Sequence, residues 1–539
     1  MPNVPGFRGI LRDDAAARDV YAEAAGIQRR VPRAVAVPAD AADVVALVRW
    51  AAETSTPLVP RGSGSSMAGG AIGEGVVVDL SRLRAIGDVD LAARRVRVGP
   101  GVVLGALNAE LAPRGLRFPV DPSSWSFCTV GGMASTNAAG ARTVRVGATR
   151  PWVAALDCVF ADGSRATVRR GDPPPDIPAV VRFLAIAGEL RVAESRRAAR
   201  HDGVRKESSG YGIAPWARSG DLVDLLVGSE GTLAIFVGLE LALQPIPPAT
   251  ASLLAAFPSL EAAVAAATAA REAGASACEL LDRTFLDVAA AGPLPVEIPA
   301  GTEAVVLAEV EGESAAAATE ALAAIARACD DAGATAVRHA DDAESQHRLW
   351  ALRHAASPIL AKLDPALKSM QFIEDGAVPP PRLAEYVRGV RAALARQAIR
   401  GVIFGHAGDA HVHVNPLVDV RLPDWRARVE ALFAEVTALV ASLGGTVAGE
   451  HGDGRLRAPV LREVWGAEIV DRFARVKRAF DPEGILNPGA KIALAGDERL
   501  GAIKYDPTLP PLEPTARAAL ATIERDRAYS SFRLDLLNG

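Results

Sequence analysis

The sequence predicts an α+β protein of at least two domains, and three observations carry that expectation. The chain has 539 residues, half of them hydrophobic, whereas a single core stops growing beyond roughly 250–300 residues. Residues 33–60 read as strand, helix, strand and lead into a Gly/Ser-rich loop. From Pro245-Ile-Pro-Pro248 onward the composition shifts to Ala-rich amphipathic helices around short strands, and that proline cluster marks a domain boundary.

Composition excludes several classes of function. With 59 basic against 64 acidic residues the net charge is −5, so no basic surplus points to a nucleic-acid backbone. Cys128, Cys158, Cys278 and Cys329 lie far apart without a C-x-x-C pair, which leaves no frame for a zinc ribbon or an iron–sulfur cluster. The segment Met1–Asp14 carries Arg8, Arg12, Asp13 and Asp14 and lacks the apolar stretch of a secretory signal. No run approaches the roughly 18 uninterrupted apolar residues of a membrane-spanning helix. The expectation is a cytoplasmic protein without a transmembrane segment, able to lie peripherally at the inner face of a membrane.

Arg33–Val37 is extended before Pro38, Asp40 can cap a helix, and Val44, Leu47, Val48 and Ala51 recur at i, i+3, i+4 and i+7. Pro57–Pro60 forms a short strand. The loop Arg61-Gly-Ser-Gly-Ser-Ser-Met-Ala-Gly-Gly70 then runs into a second strand, Gly75–Leu80, so it differs from a dinucleotide fingerprint that opens a helix. Its glycines can still form an anion-binding nest, with Ser63, Ser65 and Ser66 as hydroxyl donors. Two further clusters of small residues follow, Asp121–Gly140 and Gly228-Ser-Glu-Gly-Thr232.

Together these segments resemble the FAD-binding domain of the vanillyl-alcohol-oxidase and p-cresol-methylhydroxylase (PCMH) superfamily. The resemblance continues through Phe480-Asp-Pro-Glu-Gly-Ile-Leu-Asn-Pro-Gly489. It implies a PCMH-type FAD-binding domain of two α+β subdomains over 1–245, with a connecting insertion at about 165–220. A ferredoxin-like antiparallel-sheet cap over 246–460, a return segment to the FAD domain over 461–495 and a tail over 496–539 would follow. Flavin contacts are implied at Pro60, Arg61, Gly62, Ser63, Gly64, Ser65, Ser66 and Gly69, then at Asp121, Pro122, Ser123, Thr129, Gly131, Gly132, Ala134, Asn137, Gly140 and Gly147. Glu230, Gly231, Ile235 and Asn487 complete the set. Many members attach the flavin to a histidine in the first loop, but all eight histidines here lie at or after His201, so the FAD is expected to be non-covalent. Cys128 reads as a small buried residue.

The second half carries two histidine motifs. In Gly405-His-Ala-Gly-Asp-Ala-His-Val-His-Val-Asn415, strand alternation puts His411, His413 and Asn415 on one face. Gly449-Glu-His-Gly-Asp-Gly454 sets a carboxylate beside an imidazole on a glycine turn. Imidazoles with a carboxylate suit Zn²⁺ first, with Mn²⁺ or Fe²⁺ as competitors, while the H-x-H element alone is equally explained by a polar strand face. The motifs resemble the metal-dependent D-2-hydroxyacid dehydrogenase branch, whose members act on D-lactate, D-2-hydroxyglutarate or glycolate. That likeness implies His406, His413 and Glu450 as metal ligands, His451 as catalytic base, and Asn415, Arg353 and Ser357, together with His451, as substrate contacts. Read without it, Arg353 is a helix-surface arginine paired with Glu344 or Asp364. Relatives carry Gly-Asn or Gly-Cys where this chain has Ala410-His411, so His411 could adjust the site, add a ligand or face solvent.

The function implied is FAD- and metal-dependent oxidation of a D-2-hydroxy acid to the 2-oxo acid, with hydride to flavin N5 and electrons passed to a quinone, an electron-transfer flavoprotein or a separate iron–sulfur protein. An oxidase using O₂ and a non-catalytic flavoprotein subunit are the alternatives. A homodimer is compatible with the sequence.

Overall fold

The computed structural model describes residues 4–195, 201–290, 292, 296–354 and 366–538. Near the N-terminus Asp40 starts a helix, Ala41–Thr54, by accepting from the backbone N–H groups of Ala42 and Asp43, donors that a helix start otherwise leaves bare. Its buried stripe is Val44, Leu47, Val48 and Ala51. The strands Ala34–Val37, Val76–Asp79 and Leu58–Arg61 pair in parallel, with Ile10–Arg12 antiparallel at the edge.

A largely parallel sheet needs cover on both faces, and alternation divides its residues accordingly. Ala34, Ala36, Leu58, Val76 and Val78 share a core with the helix Ala41–Thr54. Val35, Val37, Val59 and Val77 share another with Ala17, Val20 and Tyr21 and, from the far end of the chain, Leu512, Ala516, Leu520 and Ile523. The tail over 496–539, to which the sequence pattern assigns no role, is thus the sheet's second cover.

A five-stranded antiparallel sheet follows, in the order Ile86–Asp90, Arg95–Val98, Ile235–Ala242, Val153–Val159, Arg165–Arg169. The stretch 165–220 carries secondary structure of its own. It opens with that edge strand, continues through the helix Pro178–Ser195, and then runs against the cap, where Ser208 N–H donates to Ala448 O (2.9 Å) and Arg205 Nη1 to Gly408 O (2.9 Å).

The cap is built on an eight-stranded antiparallel sheet, ordered Ala336–Ala340, Ala249–Phe257, Ala304–Gly312, Ala277–Asp282, Arg400–His406, His411–Asp419, Leu367–Ser369, with Gly376–Ala377 also paired to His411–Asp419. Leu253, Ala255 and Phe257 face the long helices Leu260–Glu272 and Ala315–Asp331, started by Ser259 and Ser314. A second set of helices covers the opposite face. Leu254, Ala256, Leu281 and Leu307 pack on the other face with Phe285, Leu349 and Leu352, which belong to the helices Arg283–Ala289 and Ala343–His354. The return segment rejoins the first sheet: Leu58 N–H donates to Ile485 O (2.7 Å), and Asn487 N–H to Leu58 O (2.8 Å).

Leu307 is fully buried in that second cap core. Leu307→Ala should cost about 2–5 kcal/mol, read as a lower denaturant midpoint; an unchanged midpoint would show that this face is not packed core.

Candidate active site

The strands Arg400–His406 and His411–Asp419 form a tight hairpin that sets His406 opposite His411, and Ala410 turns the chain in the left-handed region at φ 54°. Alternation then keeps His413 on the side of His411, with the two ring centroids 4.7 Å apart. All three histidines are buried.

Glu450 and His451 reach this hairpin on a turn whose backbone is held from several distant segments. Gly449 N–H donates to Asp375 O (2.9 Å), and the N–H groups of Glu450 and His451 to the Asp375 carboxylate (3.2 and 2.8 Å). Gly452 N–H donates to Ser208 Oγ (3.0 Å), and Asp453 and Gly454 N–H to the two oxygens of Glu230 (2.7 and 2.9 Å). The glycines are required by contact. A Cβ on Gly449 would lie 2.7 Å from the His411 ring, and one on Gly454, at φ +51°, 1.9 Å from Ala68 O.

Three acceptor atoms converge at the centre. His406 Nδ1–H donates to Glu279 Oε1 (2.5 Å) and His413 Nδ1–H to Glu374 O (2.8 Å); with Nδ1 so used, each neutral ring turns its Nε2 lone pair inward. His406 Nε2, His413 Nε2 and Glu450 Oε1 stand 3.3 Å from one another on all three sides. Lone pairs at that spacing repel unless a cation or a proton lies between them, and a tetrahedral ion with bonds of about 2.0–2.1 Å spaces its ligands by about 3.3–3.4 Å. The donor set therefore fits a divalent metal. His411 belongs to the same group, within 4.8 Å. It does not face solvent: it is fully buried, its Nε2–H donates to Asp375 Oδ1 (2.9 Å), and among the described residues its Nδ1 has no partner.

Several charges around this centre come from residues that sequence reading did not assign, Lys206, Glu279, Glu374, Asp375 and Arg457. Lys206, in the stretch 165–220, places Nζ 2.7 Å from Glu450 Oε2. Glu279 bridges His406 and Arg353, whose Nε donates to Glu279 Oε2 (2.7 Å) while its guanidinium lies 4.3 Å from the Phe404 ring centre. Of the acids first considered for Arg353, Glu344 instead holds Arg348, and Asp364 lies outside the described residues. Burial opposes ionisation of Glu450, but the Lys206 ammonium outweighs it and holds the carboxyl well below its ordinary value. Burial likewise disfavours charge on His406, yet Glu279 raises its pKa. At His411 burial prevails and lowers the pKa to about 3. Glu374 and Asp375 are buried side by side against Arg457, which bonds to Glu374 and lies 3.4 Å from Asp375 Oδ2.

His451 faces the space in front. Its Nδ1–H donates to Glu374 Oε1 (3.1 Å), and its Nε2 lies 3.7 Å from Glu450 Oε1. Burial disfavours its cation, but Asp375, Glu374 and Glu450 outweigh burial and raise its pKa to about 9. A cavity of about 750 Å³ runs from here to the Gly/Ser loop. Of the residues singled out from sequence, Pro60 through Ser66, Pro122, Ser123, Thr129, Gly131, Gly132, Glu230, Gly231, Ile235, Asn415, Glu450 and His451 line it. Gly69, Asp121, Ala134, Asn137, Gly140, Gly147, Arg353, His406, His413 and Asn487 are outside that lining. Several of these brace it: Asn487 Nδ2 donates to Gly70 O (3.0 Å) and Glu230 O (2.7 Å), Gly140 O accepts from Lys206 (3.2 Å), and Asp121 pairs with Arg142 (2.6 Å). Ser357 lies outside the described residues. Arg61 lines the cavity, but its guanidinium is spent on Tyr21 O, Glu23 O and Ala71 O, which shapes the loop.

Residues 246–490 match the family description "FAD linked oxidases, C-terminal domain", and residues 32–169 match "FAD binding domain". Glycolate oxidase subunit GlcD of Bacillus subtilis (strain 168) is 32% identical over 502 residues, covering 91% of this chain and 95% of that protein. This chain belongs to the FAD-linked oxidases. Another relative in the family, D-2-hydroxyglutarate dehydrogenase of Pseudomonas putida, is 32% identical over 515 residues; the match covers 90% of this chain, which spans only 50% of that longer protein. Among solved folds, 4-ethylphenol oxidase from Gulosibacter chungangensis superposes with a TM-score of 0.63 at 16% identity, over 89% of this chain and 94% of that one. The FAD-linked oxidase assignment makes the chain an FAD-dependent oxidoreductase with the PCMH-type architecture. No helix among the described residues is long and apolar enough to cross a membrane.

In the metal-free protein the His451 ring should keep its proton up to about pH 9, and a divalent cation at Glu450 should lower that midpoint by repulsion. A ring-proton NMR titration with and without Zn²⁺ reads both; an apo midpoint near 6.5 contradicts the carboxylate cage.

Proposed function

We propose that this FAD-linked oxidase oxidises a D-2-hydroxy acid to the 2-oxo acid, with non-covalent FAD and a divalent metal, and delivers the electrons to a non-nicotinamide acceptor. The observation that carries the reading is the continuous cavity with the Gly/Ser loop at one end and Glu450 and His451 at the other. Relatives described as a glycolate oxidase subunit and a D-2-hydroxyglutarate dehydrogenase support the substrate class.

When bound, FAD accepts a hydride at N5 and a divalent cation, Zn²⁺ first with Mn²⁺ or Fe²⁺ as competitors, polarises the substrate hydroxyl. His406, His413 and Glu450 are the residues to hold that cation. His451 takes the hydroxyl proton on Nε2, since Nδ1 is committed to Glu374 and the ring cannot turn without losing that bond. Asn415, beside it in the cavity, contacts the substrate. Arg353 and Ser357 are assigned to the substrate carboxylate, where a guanidinium can make two parallel hydrogen bonds and fix the face of Cα that meets the flavin. Cys128 supports a non-covalent cofactor: it lines the cavity, but burial pushes its thiol up to about 11, which keeps it from acting as a nucleophile.

The test is anaerobic flavin bleaching with D- and L-2-hydroxy acids, before and after chelation. Bleaching should be selective for D-acids and lost on metal removal, and His451→Ala should slow it by roughly 10²–10⁴-fold while FAD stays bound. Unchanged bleaching after verified metal removal refutes the metal role, and a purified protein that is colourless and takes up no FAD refutes the whole reading.

A further inference from the structure

The FAD-oxidase match ends at residue 490, yet the chain beyond it forms part of the cavity wall. Tyr505, Glu524, Arg527 and Tyr529 line the same space as the loop Gly62–Ser66. This segment is fastened to the N-terminal domain by its backbone. Arg29 N–H donates to Ala502 O (2.9 Å), Lys504 N–H to Ile27 O (2.8 Å), and Glu513 N–H to Asp19 Oδ2 (2.7 Å). Glu513 then caps the helix Pro514–Asp526 by accepting from Ala516 N–H, with proline in the first turn. The helix buries Ala516, Ala519, Leu520 and Ile523 against the first sheet.

The helix ends at Arg527, a non-glycine residue at φ 53°. That turn aims two side chains at one ring. The Tyr529 ring centre lies 5.3 Å from that of Phe127, and the Arg527 guanidinium lies 5.2 Å from it. Phe127 itself lines the cavity beside Cys128 and Thr129. The wall therefore offers aromatic faces and a guanidinium, groups suited to a planar heterocycle and a phosphate-bearing linker, and FAD contains both. The segment also braces the loop from behind. Residues 19–29, which it holds, supply Tyr21 O and Glu23 O to the Arg61 guanidinium and Ala25 N–H to Gly64 O (3.0 Å).

We propose that the C-terminal segment is a clasp that closes the FAD cavity, with Arg527 and Tyr529 as cofactor-retaining residues; this rests on the reading that FAD occupies that cavity. Removing the whole segment would strip the first sheet of its cover, so point variants are the test. Arg527→Gly deletes the guanidinium at a position whose φ glycine tolerates, and Arg527→Gly/Tyr529→Ala also removes the ring. On the holoenzyme, FAD release is followed by the recovery of flavin fluorescence on dilution, and exposure by iodide quenching; the melting temperature of the apoprotein reports the fold.

The double variant should release FAD at least tenfold faster than wild type and be quenched more strongly, Arg527→Gly should release it several-fold faster, and Tyr529→Phe should behave as wild type. Release within twofold of wild type for the double variant, with an unchanged apoprotein melt, overturns the clasp. If the double variant melts early, Arg527→Gly decides by the same twofold limit. Wild-type protein that binds no FAD sinks the underlying reading instead, whereas wild type that holds FAD beside variants that hold it equally well sinks the clasp alone.

Discussion

Every backbone N–H from Gly449 to Gly454 is bonded to a group far away in the chain: Asp375 takes three, Ser208 one and Glu230 two. The rest of the site depends on this constraint, because the turn carries both Glu450 and His451. Buried carboxylates are tolerated only when hydrogen-bonded and paired. Asp375 and Glu230 meet that condition by serving as the turn's acceptors, with Lys491 3.1 Å from Glu230 and Arg457 against Asp375. Losing one partner of such a buried pair typically costs about 3–5 kcal/mol, so the turn has one stable conformation rather than several.

Charge balance links this scaffold to chemistry. Glu279, Glu374, Asp375 and Glu450 face three permanent cations, Lys206, Arg353 and Arg457. A proton on His451 offsets the remaining negative charge, which is why its pKa rises to about 9. A divalent cation among His406, His413 and Glu450 would supply positive charge of its own and make that proton easier to remove. A cation held there and the His451 proton would thereby be coupled through electrostatics. Arg353 is tied into the same system through Glu279, so its position depends on His406 as well as on its own helix.

The two chain ends meet on one face of the first sheet. Val35, Val37, Val59 and Val77 are covered by side chains more than four hundred residues later, and the Gly/Ser loop leaves the adjacent strand Leu58–Arg61. Stability of the N-terminal sheet and the shape of the cavity beside the Gly/Ser loop are therefore settled by the same packing.

Local pattern made much of this legible. The Asp40 cap, the Val44-Leu47-Val48-Ala51 stripe and the shared face of His411, His413 and Asn415 all follow from periodicity and backbone chemistry, which act over a few residues. Lys206, Glu279, Glu374, Asp375 and Arg457 left fainter signals. Glu279 is an acid amid the apolar residues of the strand Ala277–Asp282, three positions before its terminal Asp282, and Glu374-Asp375 is an acid pair within a buried stretch, yet neither shows which imidazole it meets. The sequence by itself determined the strand and helix pattern, the absence of histidine near the first loop, and which residue types were present for metal and proton chemistry. Tertiary structure alone decided that Lys206 reaches Glu450, that His406 and His413 turn their Nε2 atoms toward one point, and that the tail walls the cavity. The physical reason is range: periodicity is fixed by neighbours, while lone-pair direction, desolvation and charge compensation are fixed by groups that only folding brings within a few ångströms.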